Sequence, residues 1–326
     1  MKKLFISLVV TVMVCAFAFA GGSSEKGTMD LAASTGGMSA SSPAGRGMAK
    51  FAELVNQYSE GAIKIKVFYD TTLGNSSSIV SGMMQGTVDF GICGDSYYSG
   101  LVPEIQAFEP PYMFESQEEA RAALNGPAAD YLIGKLEPSG IQALAFWEIG
   151  FRQLTNNIRP VKNVSDLKGI KIRCLPATFQ VKAWEGMGAL PVPMDISELY
   201  SSLQQKVVDG QENPISEIYN QRFYEVQRYL SLTNHVYTPM LLSCGGQTWA
   251  RFTPNQQEII LRAAKEAQAE VFRINDEDNA KLLSKIASAG VLVTEDVDVE
   301  SFKQAVTGSR DLFVQQYGFD ILNILE

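Results

Sequence analysis

Two arginines and an amide are the residues whose types and positions suit the capture of an anion. Arg152 lies in Phe151-Arg152-Gln153-Leu154-Thr155-Asn156, shortly after an apolar run ending at Trp147. Arg173 closes Ile170-Lys171-Ile172-Arg173, at the carboxyl end of an expected strand, where α/β proteins gather ligands. Asn213 lies in Asp209-Gly210-Gln211-Glu212-Asn213-Pro214. A guanidinium grips a carboxylate through two parallel N–H···O bonds, which sets orientation as well as charge. A second arginine and an amide donor would satisfy the remaining lone pairs. Spacing alone leaves a plainer reading open: both arginines in surface ion pairs, and Asn213 shaping the turn before Pro214.

Other chemistries lack their signatures. The chain has no G-x-S-x-G elbow, no P-loop, no G-x-G-x-x-G and no H-E-x-x-H. His235, in Thr233-Asn234-His235-Val236-Tyr237, is the only histidine, so a Ser/His/Asp or Cys/His centre would have to use it. A structural or interface histidine is the simpler expectation. With one histidine, a Cys/His zinc site is not expected. Carboxylates are plentiful but no pair stands out by spacing, which leaves open a carboxylate-based hydrolase whose partners meet only in the fold. Of the cysteines, Cys93, Cys174 and Cys244 sit in apolar or Gly-rich stretches and read as small core residues.

The elements that must position these groups alternate between strand and helix. Met29 to Ser34 suits a first strand, and Pro43 opens a helix running to Tyr58. Ile63 to Phe68 alternates apolar residues with lysine, the pattern of a strand with one wet face. Ser76 to Gln85 is an expected helix ending at Gly86, followed by a strand over Val88 to Cys93. A helix over Ala120 to Leu136 and a strand over Ile141 to Trp147 complete the first half. In the second half, Ile170, Ile172 and Cys174 face one way along a strand while Lys171 and Arg173 face the other. Helices are expected over Ser197 to Lys206, with Ser197 as cap, and over Gln221 to Leu230; a tight polar loop over Asp209 to Pro214; and a strand at Leu241 to Ser243. Thr253, Pro254 and Gln256 form a capping-box start to a helix reaching about Ala289, roughly 50 Å long at 1.5 Å per residue. Such a helix exceeds what one small domain needs and suits a span across two lobes. The alternation predicts an α/β architecture with largely parallel pairing.

At 326 residues the chain is long enough for two lobes of ordinary size. Its 46% hydrophobic and 19% charged content is globular. Met1-Lys2-Lys3, an uncharged run from Leu4 to Ala20 and the sequence Gly21-Gly22-Ser23-Ser24 read as an export signal, cleaved after Ala20. Bulky Val12-Met13-Val14 before Cys15 argues against lipoprotein processing. No later segment is apolar and long enough to span a bilayer. Losing Lys2 and Lys3 would take the formal net charge from −9 to −11. So acidic a chain repels nucleic acid and anionic lipid, and binds an anion only through locally placed Arg or Lys.

Several long segments resemble the extracytoplasmic solute-binding proteins of TRAP transporters, the DctP-like family. GFRQLTNNIRPVKNVSDLKGIKIR (150–173) is similar to the family's arginine-bearing segment. PMDISELYSSLQQKVVDGQENP (193–214), then FYEVQRYLSLTNH (223–235), resembles its most specific signature. LGNSSSIVSGMMQGTVDFGI (73–92) and PPYMF (110–114) add to the likeness. The resemblance implies a two-lobed periplasmic-binding-protein-like α/β fold, with a ligand cleft between the lobes and a long helix spanning both. By position, Arg173 would clamp the ligand carboxylate, Arg152 would be the second pocket arginine, and Asn213 would hydrogen-bond the same carboxylate. Asn75 would touch the distal end of the ligand from the other lobe, and Tyr200 and Glu198 would lie on the helix backing the pocket. Ser76, next to Asn75, is a further polar candidate. Trp147, Glu148, Phe179 and Asp195 are further candidates to line it. Asp195-Ile196 stands where some sialic-acid binders have an aromatic residue, which argues against that ligand. The lobes would comprise 28–149 plus 239–278 and 150–238 plus 279–326, after a signal at 1–20 and a leader at 21–27.

The function this implies is non-enzymatic: an exported, periplasmic binder whose lobes close over a small organic acid and which delivers it to TRAP membrane subunits. No cofactor, nucleotide or nucleic acid is called for; whether a metal ion assists binding stays open, and a monomer is the default. Polar side chains at Asn75, Ser76, Glu148 and Asp195 suit hydroxyls, so a sugar acid such as a uronate or aldonate ranks first, a C4-dicarboxylate second and a keto acid third. The competing readings are an exported enzyme acting on a small acid, and a binder serving another transporter or a chemoreceptor.

Overall fold

The computed structural model describes residues 28–176 and 178–318. The expected export signal, the leader and the last eight residues lie outside them. Eleven strands are described: β1 (Met29–Ser34), β2 (Ile63–Phe68), β3 (Phe90–Gly94), β4 (Ile141–Phe151), β5 (Gln153–Asn156), β6 (Lys171–Cys174), β7 (Leu190–Pro193), β8 (Gly210–Asn213), β9 (Tyr229–Ser231), β10 (Tyr237–Gly245) and β11 (Leu292–Thr294). They form two sheets, ordered β2-β1-β3-β10-β4 and β11-β9-β5-β8-β6-β7. In the first, β1 pairs parallel with β2 and β3, and β10 runs antiparallel between β3 and β4. In the second, β6 pairs parallel with β7 and β8, while β5 runs antiparallel to β8 and β9.

The helices are α1 (Pro43–Tyr58), α2 (Ser76–Gln85), α3 (Gln117–Leu124), α4 (Pro127–Leu136), α5 (Thr178–Gly186), α6 (Ile196–Gln204), α7 (Ile215–Asn220), α8 (Gly246–Trp249), α9 (Pro254–Ser288), α10 (Val299–Ala305) and α11 (Thr307–Tyr317). Their starts follow from capping. Ser42 accepts from the Gly45 amide with Pro43 at the first position, and Asn75 accepts from Ser78. Thr253 and Gln256 form the expected capping box of α9. Gly86 ends α2 at φ 75°, where a side chain would be strained.

The chain passes between the sheets three times. β4 leads into β5 at Gly150, whose φ of 99° turns the strand. β9 returns into β10 through 232–236. The 35-residue α9 packs on α1 and β4, reaches α7, and leads to β11 at the edge of the second sheet. This is the two-lobed α/β fold with a spanning helix.

Three local expectations change. The single helix over Ala120 to Leu136 is two, α3 and α4, because Gly126-Pro127 interrupts it; the Pro ring disfavours helical backbone in the preceding residue. The polar stretch at Gly210–Asn213 is strand β8 and not a loop, held between β5 and β6 in the register Gln153↔Asn213 and Arg173↔Gln211. Its polarity is internal: Gln211 donates to Thr155 Oγ1 at 2.8 Å. The helix expected over Gln221 to Leu230 is replaced by α7, a single tight turn at Phe223–Glu225 and strand β9, since Arg222 adopts a left-handed φ of 59°. In addition, α6 is capped by Asp195 and not by Ser197.

Cys93, Cys174 and Cys244 are free and buried, and burial pushes the thiols of Cys93 and Cys174 up to about 12, so they pack as small core groups. Among the described residues no helix is long and apolar enough to cross a membrane.

The seating of α1 against α9 and β4 is close at Gly47. A Cβ there would fall 2.3 Å from Val271 Cγ2 and 2.8 Å from Trp147 Cζ3. Gly47→Ala gains about 1 kcal/mol of helix propensity, but overpacking costs about 1–3 kcal/mol. We expect a net loss of unfolding free energy in urea titration; a gain would mean that α1 does not seat this closely.

Candidate functional site

The carboxyl ends of β3 and β6, one from each sheet, meet across a narrow cavity of about 20 Å³, room for roughly one water molecule. From the first sheet and its connections come Met38, Ser76, Tyr97 and Met240; from the second and the crossing segments come Arg152, Arg173, Ile196 and Asn213. A larger surface hollow lined by Tyr58, Glu60, Thr253 and Gln256 has no Arg or Lys in its lining; the nearby Arg262 is paired with Glu266.

Arg173 is fully buried. Strand pairing with Val192 and Gln211 fixes its backbone. Its Nε donates to the Met194 carbonyl at 2.9 Å, while Nη1 and Nη2 have no acceptor. Burial pushes its pKa below the ordinary value, with Tyr97 and Glu212 opposing and Arg152 adding to the fall. A guanidinium still stays protonated at neutral pH. The fork is thus a buried cation with two unused donors aimed into the cavity.

Arg152 is equally buried but its charge is matched. It donates to the Glu212 carboxylate through Nε and, at 2.8 Å, through Nη2; Nη2 also reaches the Glu212 carbonyl at 2.5 Å and Asn213 Oδ1 at 3.0 Å. His235 Nε2 lies 3.2 Å from the same carboxylate, and its Nδ1 lies 2.8 Å from Thr233 Oγ1. Burial would raise the Glu212 pKa, but the Arg152 charge and the bonds from His235 and Arg152 outweigh it and hold it at about 2. His235 itself is pushed down by burial, with Glu212 opposing. The lone histidine is therefore structural, as the simpler expectation had it. Asn213 is spent on the same network, its Nδ2 donating to Gln211 Oε1 at 2.6 Å.

Arg152, Arg173, Asn213 and Ser76 come together as lining residues; Ser76 Oγ donates to the Gly36 carbonyl at 2.7 Å. Asp195 is not among the lining residues, though its neighbour Ile196 is. Its Oδ1 accepts from Ser197 as the α6 cap, and its Oδ2 is buried near Tyr97 without a hydrogen bond of good geometry. The other candidates lie elsewhere. Asn75 is the α2 cap, with Oδ1 taken by Ser78. Trp147 points away from the cavity into the α1–α9 packing and donates to the Ala264 carbonyl at 3.1 Å. Glu148 is saturated by Arg121, Gln117, Tyr237 and Asn275, a buried tie between β4, α3, β10 and α9. Phe179 packs on Phe313 and Tyr317. Tyr200 donates to Glu225 near the surface, and Glu198 is exposed.

Sequence reasoning missed Tyr97, Met38, Thr238 and Met240 in the lining. A signal for Tyr97 existed: it sits in the turn after Gly94, at the carboxyl end of β3, the position where α/β sheets gather ligands. The pairing of Arg152 with Glu212 had none, since those residues are 60 apart in sequence. Among the described residues no cluster of three or more metal-ligating side chains occurs.

The Arg152–Glu212 pair yields a pH signature. The folded pKa of Glu212, about 2, lies below its ordinary value of 4.5, so the stability it contributes is present above pH 4.5 and lost as pH falls toward 2. Glu212→Gln leaves Arg152 buried without a counter-ion and should cost roughly 3–5 kcal/mol at pH 7. The gap between wild type and variant in denaturant titrations should narrow below pH 4.5; a gap constant to pH 2.5 would contradict the pairing.

Comparison with known proteins gives the family. The model of the bacterial extracellular solute-binding protein family 7, DctP, matches residues 35–316. The chain is 35% identical over 280 residues to the 2,3-diketo-L-gulonate-binding periplasmic protein YiaO of Escherichia coli strain K12, covering 85% of each chain. Among solved structures it is similar to a TRAP periplasmic solute-binding protein from Polaromonas sp. JS666 bound to D-erythronate, with TM-score 0.88 and 30% identity over 91% of this chain and 98% of that one. It is also similar to the sugar-acid-binding protein DctPAm of Advenella mimigardefordensis in complex with galactonate, with TM-score 0.88 and 29% identity over 92% and 97%. These relatives are substrate-binding proteins of transporters and not enzymes. The chain belongs to the DctP family of TRAP-transporter periplasmic solute-binding proteins.

Proposed function

We propose that this protein captures a small organic acid in the inter-lobe cavity through the Arg173 guanidinium and hands it to TRAP membrane subunits. The single observation that carries the reading is the fully buried Arg173 fork, with Nη1 and Nη2 both lacking an acceptor at the cavity wall. A carboxylate supplies the missing charge and accepts both bonds at once. Arg152, already neutralised by Glu212, holds the cavity wall and Asn213 in place, and does not need the ligand as counter-ion. A sugar acid, either an aldonate or a uronate, is the first candidate, and a C4-dicarboxylate the second. The erythronate, galactonate and diketogulonate named for similar proteins support that order.

Capture requires the lobes to move. Arg173 lies on β6 of one sheet and Tyr97 after β3 of the other, so parting the sheets would open the cavity to water and ligand. The hinge would be the three crossing segments, with lobes of 28–149 plus 239–278 and 150–238 plus 279–326. The protein would act as a periplasmic monomer after removal of residues 1–20, without a cofactor.

The test is a thermal-shift screen over organic acids followed by calorimetry, since a ligand that binds only the folded state raises apparent stability. Arg173→Met should abolish the shift and weaken binding roughly 10²- to 10⁴-fold, the loss of two charge-assisted hydrogen bonds. The same variant, freed of an unpaired buried cation, should melt no lower than wild type in the absence of ligand. Retained affinity in a folded Arg173→Met protein would overturn the clamp.

A further inference from the structure

A second set of unsatisfied polar atoms stands near Arg173. Tyr97 comes from the turn after β3 and Asp195 from the start of α6, so the two arrive from opposite sheets. The Tyr97 hydroxyl and Asp195 Oδ2 are both buried, make no hydrogen bond of good geometry, and lie close enough to interact with each other. Asp195 Oδ1 is committed to the α6 cap, at 2.9 Å from the Ser197 amide and 2.7 Å from its hydroxyl, so only Oδ2 is available. Burial raises the Tyr97 phenol far above its ordinary value, Arg173 opposes that rise and Asp195 adds to it. Tyr97 is therefore a protonated donor, and Asp195 acts as an acceptor.

The charge count of the cavity is small. Its lining holds two cations, and Arg152 is neutralised by Glu212. That leaves Arg173 as the one lining cation without a hydrogen-bonded counter-ion, with donors for one ligand carboxylate, while Asp195 already adds an acid beside Tyr97. A second carboxylate would find no cation in the lining and would share a poorly solvated space with the Asp195 carboxylate, where like charges repel strongly. A hydroxyl fares differently, because it accepts from Tyr97 and donates to Asp195.

We propose that Tyr97 and Asp195 form a cross-cleft pair that reads a ligand hydroxyl and rejects a second carboxylate, restricting the site to hydroxylated monocarboxylates. The inference rests on the proposed Arg173 clamp. It identifies two specificity-determining residues, and it sets C4-dicarboxylates apart from sugar monoacids by charge.

The test uses acids that differ only at the far end, where a CH₂OH is replaced by a carboxylate: galactonate against galactarate, and erythronate against the matching tartrate. Calorimetry on the mature chain should give a preference for the monoacid of at least roughly 30-fold in whichever pair binds, the scale of one misplaced charge in a buried site. Asp195→Asn keeps the cap acceptor and should shrink that preference about tenfold or more, mainly by gain on the diacid. Tyr97→Phe should weaken the monoacid about tenfold without a change of charge. Asp195→Ser, which also preserves an α6 cap, and the ligand-free melting temperature guard against a folding defect. Equal affinity for monoacid and diacid in wild type, a preference unmoved by both Asp195 variants, or binding of succinate in place of all four acids would overturn the inference. If Arg173→Met abolishes binding while the Asp195 and Tyr97 variants leave the preference intact, this inference alone falls. If no acid binds wild type at all, the proposed function falls with it.

Discussion

The arrangement turns on a buried guanidinium that the protein does not neutralise. Arg173 is as buried as any core residue, yet two of its nitrogens have no acceptor. Leaving a charge unpaired in a low-dielectric interior costs several kcal/mol. A second arginine shows what neutralisation looks like. Arg152 is buried to the same degree and meets the Glu212 carboxylate through Nε and Nη2, one edge of its guanidinium. The contrast separates a structural cation from an available one, and on the proposed function it makes closure favourable chiefly when an anion is present. The open form would hydrate Arg173, and the closed form needs a carboxylate in place of that water.

The Arg152–Glu212–His235 network also lies where the two sheets join. Arg152 sits between β4 and β5, and its amide donates to the Val236 carbonyl at 2.8 Å. His235 sits between β9 and β10, and its carbonyl accepts from the Tyr112 amide at 2.8 Å. Both crossing segments are thus tied to one carboxylate on β8. The network fixes the crossing strands relative to the second sheet, and through Asn213 it fixes the cavity wall. A polar junction of this kind is stable only when every charge in it has a partner, and Glu212 supplies that for Arg152.

Much of the fold was legible because its signals are local. Pro43, Ser42 and Tyr58 bound α1, the Ile/Lys alternation marks β2, and Thr253 with Gln256 opens α9. Elements whose character depends on neighbours were misread. β8 is polar because its side chains bond within the sheet, and β9 is a strand because it pairs with β5 and β11. Of the residues expected to line a pocket, Arg173, Arg152, Asn213 and Ser76 do lie in the cavity lining. Glu148 and Trp147 do not, because adjacent residues on β4 face opposite sides and only the packing of α3, α9 and β10 decides what each one meets.

By itself, the sequence determined the alternation of strands and helices, the length of α9, the family resemblance and the placing of an arginine at the end of β6. These follow from short-range periodicity, capping and motif, all of which act within a few residues. Tertiary structure alone decided which arginine keeps a free charge. Glu212 is one residue from Asn213 in the chain, yet its partners Arg152 and His235 lie 60 and 23 positions away. It also decided that Tyr97 lines the cavity with Arg173 and lies close to Asp195. Electrostatic pairing depends on distance in space, and sequence spacing carries little information about that once the chain has crossed between two sheets.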